Sequence, residues 1–327
     1  MDSDDDLLSE LLAPLRLHGV FYSHWSMRAP WGVAGEREHC AIMHYVTEGE
    51  CVMELPEVAD PVLLRAGDLA VFPHGSGHRL ADRPGRPAVP LAELLPAREP
   101  GTMRAMQIDG SGSATTMLCG GLHYNDAAAA PLYRALPSVF VLDKAMVDSQ
   151  PLLAQMLHRL PGEGSDGGAG VRLVVLRVFE LVFVLALRAA ISELATGEPV
   201  LRALHHPAIS RALLAIHSRF AQPWKLESLA AEAGLSRSAF ASTFRALVGE
   251  PPMRHLTGRR MQEAARLLAE TTLAHNRIAE RVGYRSTVGF HLAFRSWLGQ
   301  TPGEYRHSCA SAVKSAQHEE SGAAAIG

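Results

Sequence analysis

Two periodicities divide the chain. From about Gly19 to Tyr124, apolar and polar positions alternate. Cys40, Ile42, His44 and Val46 fall on one side of an extended segment, with Ala41, Met43 and Tyr45 on the other. Glu48-Gly49-Glu50 reads as the turn that follows, and Cys51 to Leu55 as the return strand. Leu63 to Asp68 leads into a further apolar strand, Leu69 to Phe72. Five prolines between Arg83 and Gly101 mark a surface excursion, and Ala114 to Tyr124 reads as the last strand of a barrel.

From Pro131 onward the pattern turns helical. Five glycines between Pro161 and Gly170 interrupt it, and Val171 to Leu194 then predicts one long helix. Its charged residues, Arg172, Arg177, Glu180 and Arg188, project within an arc of about 160°. They exclude a membrane span. The opposite half is apolar, wide enough to bury against its own domain and against a second protomer. A wholly intramolecular core helix is the alternative. His307 to Gly327 contains no Phe, Tyr or Trp and has the composition of a disordered tail.

Composition narrows the class. The 327 residues are 47% hydrophobic and 20% charged, a balance that predicts a soluble globular protein of two domains. The net charge of −3 hides an asymmetry. Pro207 to Arg306 holds 14 Lys and Arg against 7 Asp and Glu, a surplus of +7, which leaves −10 on the remainder. A basic module on an acidic body predicts one domain that meets nucleic acid. Cys40, Cys51, Cys119 and Cys309 have no CxxC spacing, and Met1 to Ser9 holds four Asp and no basic residue, the reverse of a secretory leader. Reduced thiols in a cytoplasm are expected.

The basic segment repeats itself. A first copy runs from Ala230 through Gly234, Phe240 and Phe244 to Gly249. A second runs from Ala279 through Gly283, Phe290 and Phe294 to Gly299. In each, a short helix (Leu226 to Ala233; Ile278 to Val282) ends at a glycine able to take positive φ. A serine, Ser236 or Ser286, is placed to cap the next helix. Phe240, Phe244, Leu247 and Val248 form the predicted buried stripe of the first copy, and Phe290, Phe294, Trp297 and Leu298 that of the second. Arg237, Ser238, Ala241, Ser242 and Arg245 then face out in one. Arg285, Thr287, Val288, His291, Leu292 and Arg295 do so in the other. Such a face suits a DNA major groove. Pro252 to Leu268, rich in arginine, predicts the helix that spaces the two motifs, setting them on successive grooves roughly 34 Å apart. Gly289, inside the second recognition helix, costs up to about 1 kcal/mol relative to Ala. With Val288 and Leu292 beside it, that helix offers few hydrogen-bonding groups.

Arg277-Ile-Ala-Glu-Arg-Val-Gly-Tyr-Arg-Ser, followed by Phe290, Phe294 and Gly299-Gln-Thr-Pro-Gly-Glu-Tyr-Arg306, resembles the signature of the AraC/XylS transcription regulators. The resemblance covers about Pro207 to Arg306. It implies a DNA-binding regulator with Arg237, Ser238, Ser242, Arg245, Arg285, Thr287, His291 and Arg295 at the duplex. It further implies promoter DNA and RNA polymerase as partners, and a homodimer.

Gly67, then Pro73-His74-Gly75-Ser76-Gly77-His78, resembles the second motif of the cupin barrel, with His78 at a ligand position. The first cupin motif is missing, because Ile42 stands where the ligand glutamate would be. This argues against cupin enzyme chemistry and leaves a cupin metalloenzyme with a DNA-binding tail as the rival reading. His44, His74, His78, Cys119 and His123 are still the candidate sensor residues. They offer nitrogen and sulfur ligands for zinc or another divalent metal, an oxidant-sensing thiol with Arg79 as a source of positive charge, or the wall of a small organic ligand site. A purely structural barrel is the remaining alternative.

The expected fold is α+β: a cupin-like sensor barrel over 1–130, a helical dimerisation segment over 131–204, an all-α double helix-turn-helix domain over 205–306 and a tail over 307–327. The expected function is a cytoplasmic regulator, possessing no membrane segment, that responds to a small molecule, a metal or an oxidant.

Overall fold

The computed structural model describes residues 17–58, 60–95, 103–124, 133, 136–163, 170–194, 202, 203 and 206–309. They fall into two compact units, one within Leu15–Glu198 and one within Pro199–Gly327.

The first unit is a double-sheet barrel. Leu17–Arg28 (β1), Gly32–Gly35 (β2), Cys40–Glu48 (β3), Glu50–Glu54 (β4), Val62–Arg65 (β5), Leu69–Phe72 (β6), His78–Ala81 (β7) and Val89–Pro90 (β8) precede a short helix, Leu91–Leu94 (α1). Met103–Ile108 (β9), Ala114–Tyr124 (β10) and Phe140–Leu142 (β11) follow. One sheet has the order β11-β6-β3-β10-β1-β9 and the other β5-β4-β7-β2-β8. Trp25, Ile42, Val46, Met53, Phe72, Leu80 and Met117 fill the space between them.

Helices Lys144–Asp148 (α2), Pro151–Glu163 (α3) and Val171–Leu194 (α4) belong to the same unit. β3 is buried on both faces, Met43 as fully as Ile42, because α4 packs on the larger sheet through β1, β10 and β11. Gly120 of β10 makes that approach possible. A Cβ there would lie 2.1 Å from the ring of Phe179 on α4. α4 turns Val175, Phe179, Val182, Phe183 and Ala186 inward. Its outer side exposes Leu173, Val174, Leu181 and Val184 beside Arg177 and Arg188.

The second unit is all helix: Pro207–Ser218 (α5), Leu226–Ala233 (α6), Arg237–Val248 (α7), Pro252–Glu270 (α8), His275–Arg281 (α9) and Thr287–Leu298 (α10). Residues 302–309 form a further short helix, so helix runs into the first residues of the predicted tail, while 310–327 lie outside the described residues. α8 joins the two halves. Its arginines are spent on the fold: Arg260 donates to the carbonyls of Phe220 (2.8 Å) and Gln222 (2.7 Å), and Arg266 pairs with Glu263 and Glu270.

Candidate nucleic-acid interface and sensor site

Each half of the second unit is a helix, a glycine turn and a capped second helix. α6 stops at Gly234, whose φ of 69° reverses the chain. Ser236 Oγ accepts from Ala239 N at 3.3 Å and starts α7. In the other half, Ser286 Oγ accepts from Gly289 N at 3.0 Å and starts α10. α7 and α10 are both 12 residues long and lie at a constant sequence offset of 50. Phe240, Phe244, Phe290 and Phe294 are fully buried and fix the rotation of each helix. The opposite faces are therefore presented to solvent. α7 exposes Arg237, Ser238, Ser242 and Arg245. Around α10, Arg285, Val288, Leu292 and Arg295 are exposed and Thr287 is half-buried. Arg237 also pairs with Glu227 at 3.0 Å.

Two positions differ from expectation. His291 turns toward α9, with its ring 5.4 Å from that of His275 and its Nε2 buried. It is not an outward group, because the imidazole finds an aromatic partner on the neighbouring helix. Trp297 is not core: it is 37% exposed and its ring lies over Gly258 of α8 with Arg254 5.9 Å from its centroid. Gly258 offers a flat seat that stops the indole short of the interior.

In the barrel, three of the five candidate residues meet. His44 on β3 and Cys119 on β10 are direct cross-strand partners, with Nδ1 and Sγ 2.8 Å apart. Nε2 of His44 lies 2.8 Å from Nε2 of His78 on β7. Nδ1 of His78 lies 2.8 Å from the Ser76 carbonyl oxygen. That oxygen can only accept, so with both imidazoles neutral every proton in the chain is fixed. His78 Nδ1–H donates to Ser76, His44 Nε2–H donates to His78, and the Cys119 thiol donates to His44 Nδ1. Cys119 is then a thiol. Burial agrees with this assignment. It holds His44 well below its ordinary 6.5, with His78 adding to the effect, and lowers His78 to about 4. It pushes the Cys119 thiol well above its ordinary 9.0, with the neighbouring Cys51 adding to the rise. Phe72 stacks on His78 at 3.9 Å and holds the ring in place. A cavity of about 30 Å³ opens beside the three side chains, lined by Phe21, Trp25, Ile42, Leu80 and Leu95. It has room for one water molecule.

This arrangement does not fit a metal. A metal needs one donor atom from each ligand at roughly 2.0–2.3 Å from a common point, whereas His44 sends one nitrogen to the thiol and the other to His78. Among the described residues no group of three His, Cys, Asp or Glu converges in that way.

Comparison with known proteins decides the family. The family model described as Cupin matches residues 6–192, and the model described as Helix-turn-helix domain matches residues 229–308. The chain belongs to the AraC-type transcription regulators with a cupin domain. The regulator is 27% identical over 308 residues to the HTH-type transcriptional regulator AlkR of Acinetobacter baylyi, covering 92% of this chain and 99% of that one. It is 27% identical over 303 residues to the RCS-specific HTH-type transcriptional activator RclR of Escherichia coli, covering 92% and 97%. Among solved structures, the C-terminal domain of AraT, a response regulator from Geobacillus stearothermophilus, shares 35% identity at a TM-score of 0.31, covering 31% of this chain and 85% of that one. The relatives are transcription regulators across almost their whole length, so the regulator binds DNA and carries a sensing domain, and the metalloenzyme reading falls. No helix among the described residues is long and apolar enough to cross a membrane.

The remaining candidates lie elsewhere in the regulator's barrel. His74 points to the carbonyl of Leu136 at 3.0 Å and packs edge-on against Tyr133, so it braces a loop. His123 is farther along β10, with its ring 5.8 Å from Phe21. Arg79 donates to the Arg86 carbonyl and pairs with Glu54 at 4.0 Å on the outside, so it is not the charge beside Cys119. The residues not foreseen are Ser76 and Phe72, which orient His78. The two-residue spacing of Ser76 and His78 was the available signal for the first.

Proposed function

We propose that the regulator is a cytoplasmic homodimer whose signal is received at Cys119, and that the signal is a small oxidant or electrophile. The single observation that carries this reading is the directional chain from the Cys119 thiol through His44 to His78. Cys119 is not a preformed thiolate, so its reactivity must come from a partner that takes its proton during attack. His44 Nδ1 is that partner, already at hydrogen-bond distance. When the sulfur attacks the terminal oxygen of a hydroperoxide, the thiol proton moves to His44, the S–O bond forms as the O–O bond breaks, and the leaving oxygen takes that proton from His44, giving sulfenic acid and an alcohol or water. The adjacent cavity has room for one water-sized molecule, so a hydroperoxide enters as the lining side chains move aside.

Two further features support the reading. Gly120 follows Cys119 directly and seats Phe179 of α4, so a change of shape at the sulfur meets a helix within one residue. The outer side of α4 alternates three- and four-residue steps through Val174, Arg177, Leu181, Val184 and Arg188, the spacing of a helix that pairs with a second copy. On the DNA, Arg237, Ser238, Ser242 and Arg245 read from α7, with Arg285, Thr287 and Arg295 beside or on α10. RNA polymerase is the partner that such binding would recruit or block.

The test compares thiol variants. Cys119→Ser should abolish the change in promoter output on hydroperoxide treatment while leaving basal DNA binding intact, and Cys309→Ser should change neither. A Cys119→Ser protein that still responds would move the signal to another site.

A further inference from the structure

The two recognition helices are the same device with different chemistry at the same places. At the constant offset of 50 residues, Ser238 corresponds to Val288 and Ser242 to Leu292. Val288 is 70% exposed and Leu292 is 66% exposed, the two most exposed large apolar side chains among the described residues. They sit four residues apart and so share a face, and that face is opposite the buried Phe290 and Phe294. Thr287, ahead of them, is half-buried, and His291, between them, is turned toward His275. The outward surface of α10 is therefore led by these two apolar side chains, with Arg295 and Ser296 as its exposed hydrogen-bonding groups. Gly289 adds bare backbone between the two, and a Cβ there would meet Ser286 Oγ at 3.1 Å and the ring of Tyr284 at 4.0 Å. Exposed Arg285 and Arg295 flank the patch.

The base edges of a major groove offer one apolar group, the C5 methyl of thymine. We infer that α10 recognises its half of the operator through thymine methyl groups held by Val288 and Leu292. In this arrangement Arg285 and Arg295 reach the flanking phosphates, and the glycine lets the helix sit close to the bases. α7, with serines and Arg245 at the same positions, reads hydrogen-bonding edges instead. The operator is then chemically split: one half specified by donors and acceptors, the other by methyl groups. The inference rests on the DNA-binding role already established and assigns what the second motif reads.

The experiment uses the full-length protein. Sites selected from random duplexes are compared between the wild type and the Val288→Ser, Leu292→Ser double variant, which locates the half-site read by α10. Each thymine there is then replaced with deoxyuridine, which removes only the methyl group. Burial of one methyl predicts roughly fourfold weaker binding per contacted position, and the double variant should lose that sensitivity. Deoxyuridine in the other half should leave affinity unchanged. Both substituted side chains are exposed, and salt-sensitive binding to non-specific duplex reports that the variants are folded. The proposal is overturned if deoxyuridine has no effect at any thymine of that half-site. It is equally overturned if the selected half-site holds no thymines, or if the double variant weakens thymine and deoxyuridine sites alike, which would give the patch to a protein surface instead.

Discussion

Nε2 of His217 on α5 lies 3.0 Å from Nε2 of His255 on α8, inside the DNA-binding unit. His255 Nδ1 is anchored 2.9 Å from Glu250. His217 Nδ1 has no hydrogen-bond partner, and burial first, then His255 and Arg259, hold its pKa well below 6.5. The folded state therefore keeps His217 neutral, while the unfolded chain takes up a proton as pH falls through 6.5. The sign follows: stability is retained above about pH 6.5 and lost below it, by up to about 1.4 kcal/mol per pH unit for this group. Hydrogen exchange in α5 and α8 should quicken between pH 7.5 and 5.5, and His217→Leu should flatten the dependence. A slope unchanged in the variant would exclude His217 as its source.

The barrel should show the same sign for a separate pair. His44 and His78 are both held low by burial. Acid should loosen β3 and β7 between pH 6.5 and about 4, and exchange at those strands measures it.

Binding of promoter DNA should fall steeply with salt. With Arg237, Arg245, Arg285 and Arg295 at phosphates or bases, the slope of log affinity against log salt is expected near roughly −4. Arg295→Ala should reduce it by about 0.9. Arg245→Ala should cost about 1–3 kcal/mol and relax preference at one base pair, and selection from random duplexes would reveal it.

Replacing residues of α4 should separate two faces. Leu173 is 58% exposed, so Leu173→Glu should give a folded monomer by ultracentrifugation if that face meets a second copy. Phe183 is fully buried, so Phe183→Glu should unfold the barrel instead. A dimer that survives Leu173→Glu and Val184→Glu together would place the interface elsewhere.

Gly120→Ala adds one methyl group where the ring of Phe179 already sits. The helix must shift, at a cost of about 1–3 kcal/mol in stability. A thermal midpoint equal to wild type would show that the contact is not tight.

Local patterns were readable wherever the chemistry was local. The Phe240 and Phe244 spacing, the Ser236 and Ser286 caps and the turn glycines are all set within a few residues, and the structure has them as expected. Cys40 to Val46 was legible as a strand. That Met43 would be as buried as Ile42 was not, because α4, which covers the sheet, lies more than a hundred residues downstream. The cluster of His44, His78 and Cys119 was half legible. His78 came from its motif, and His44 and Cys119 from their strand faces. Their contact depends on the register of β3 against β10, which no local signal specifies. The same distance explains His74 and Arg79: short-range spacing placed them near the cluster, and the loop and strand turned them away.

The cavity beside Cys119 has room for a single water molecule. On the proposal that the signal acts at this sulfur, a reagent larger than water reaches it only when the lining side chains move aside. At low dose the rate of modification would rise with concentration. At high dose it would level off at the rate of opening, since the reagent then waits for the wall. A regulator built this way keeps time by its own breathing, and flooding the cell with reagent would not make it answer sooner.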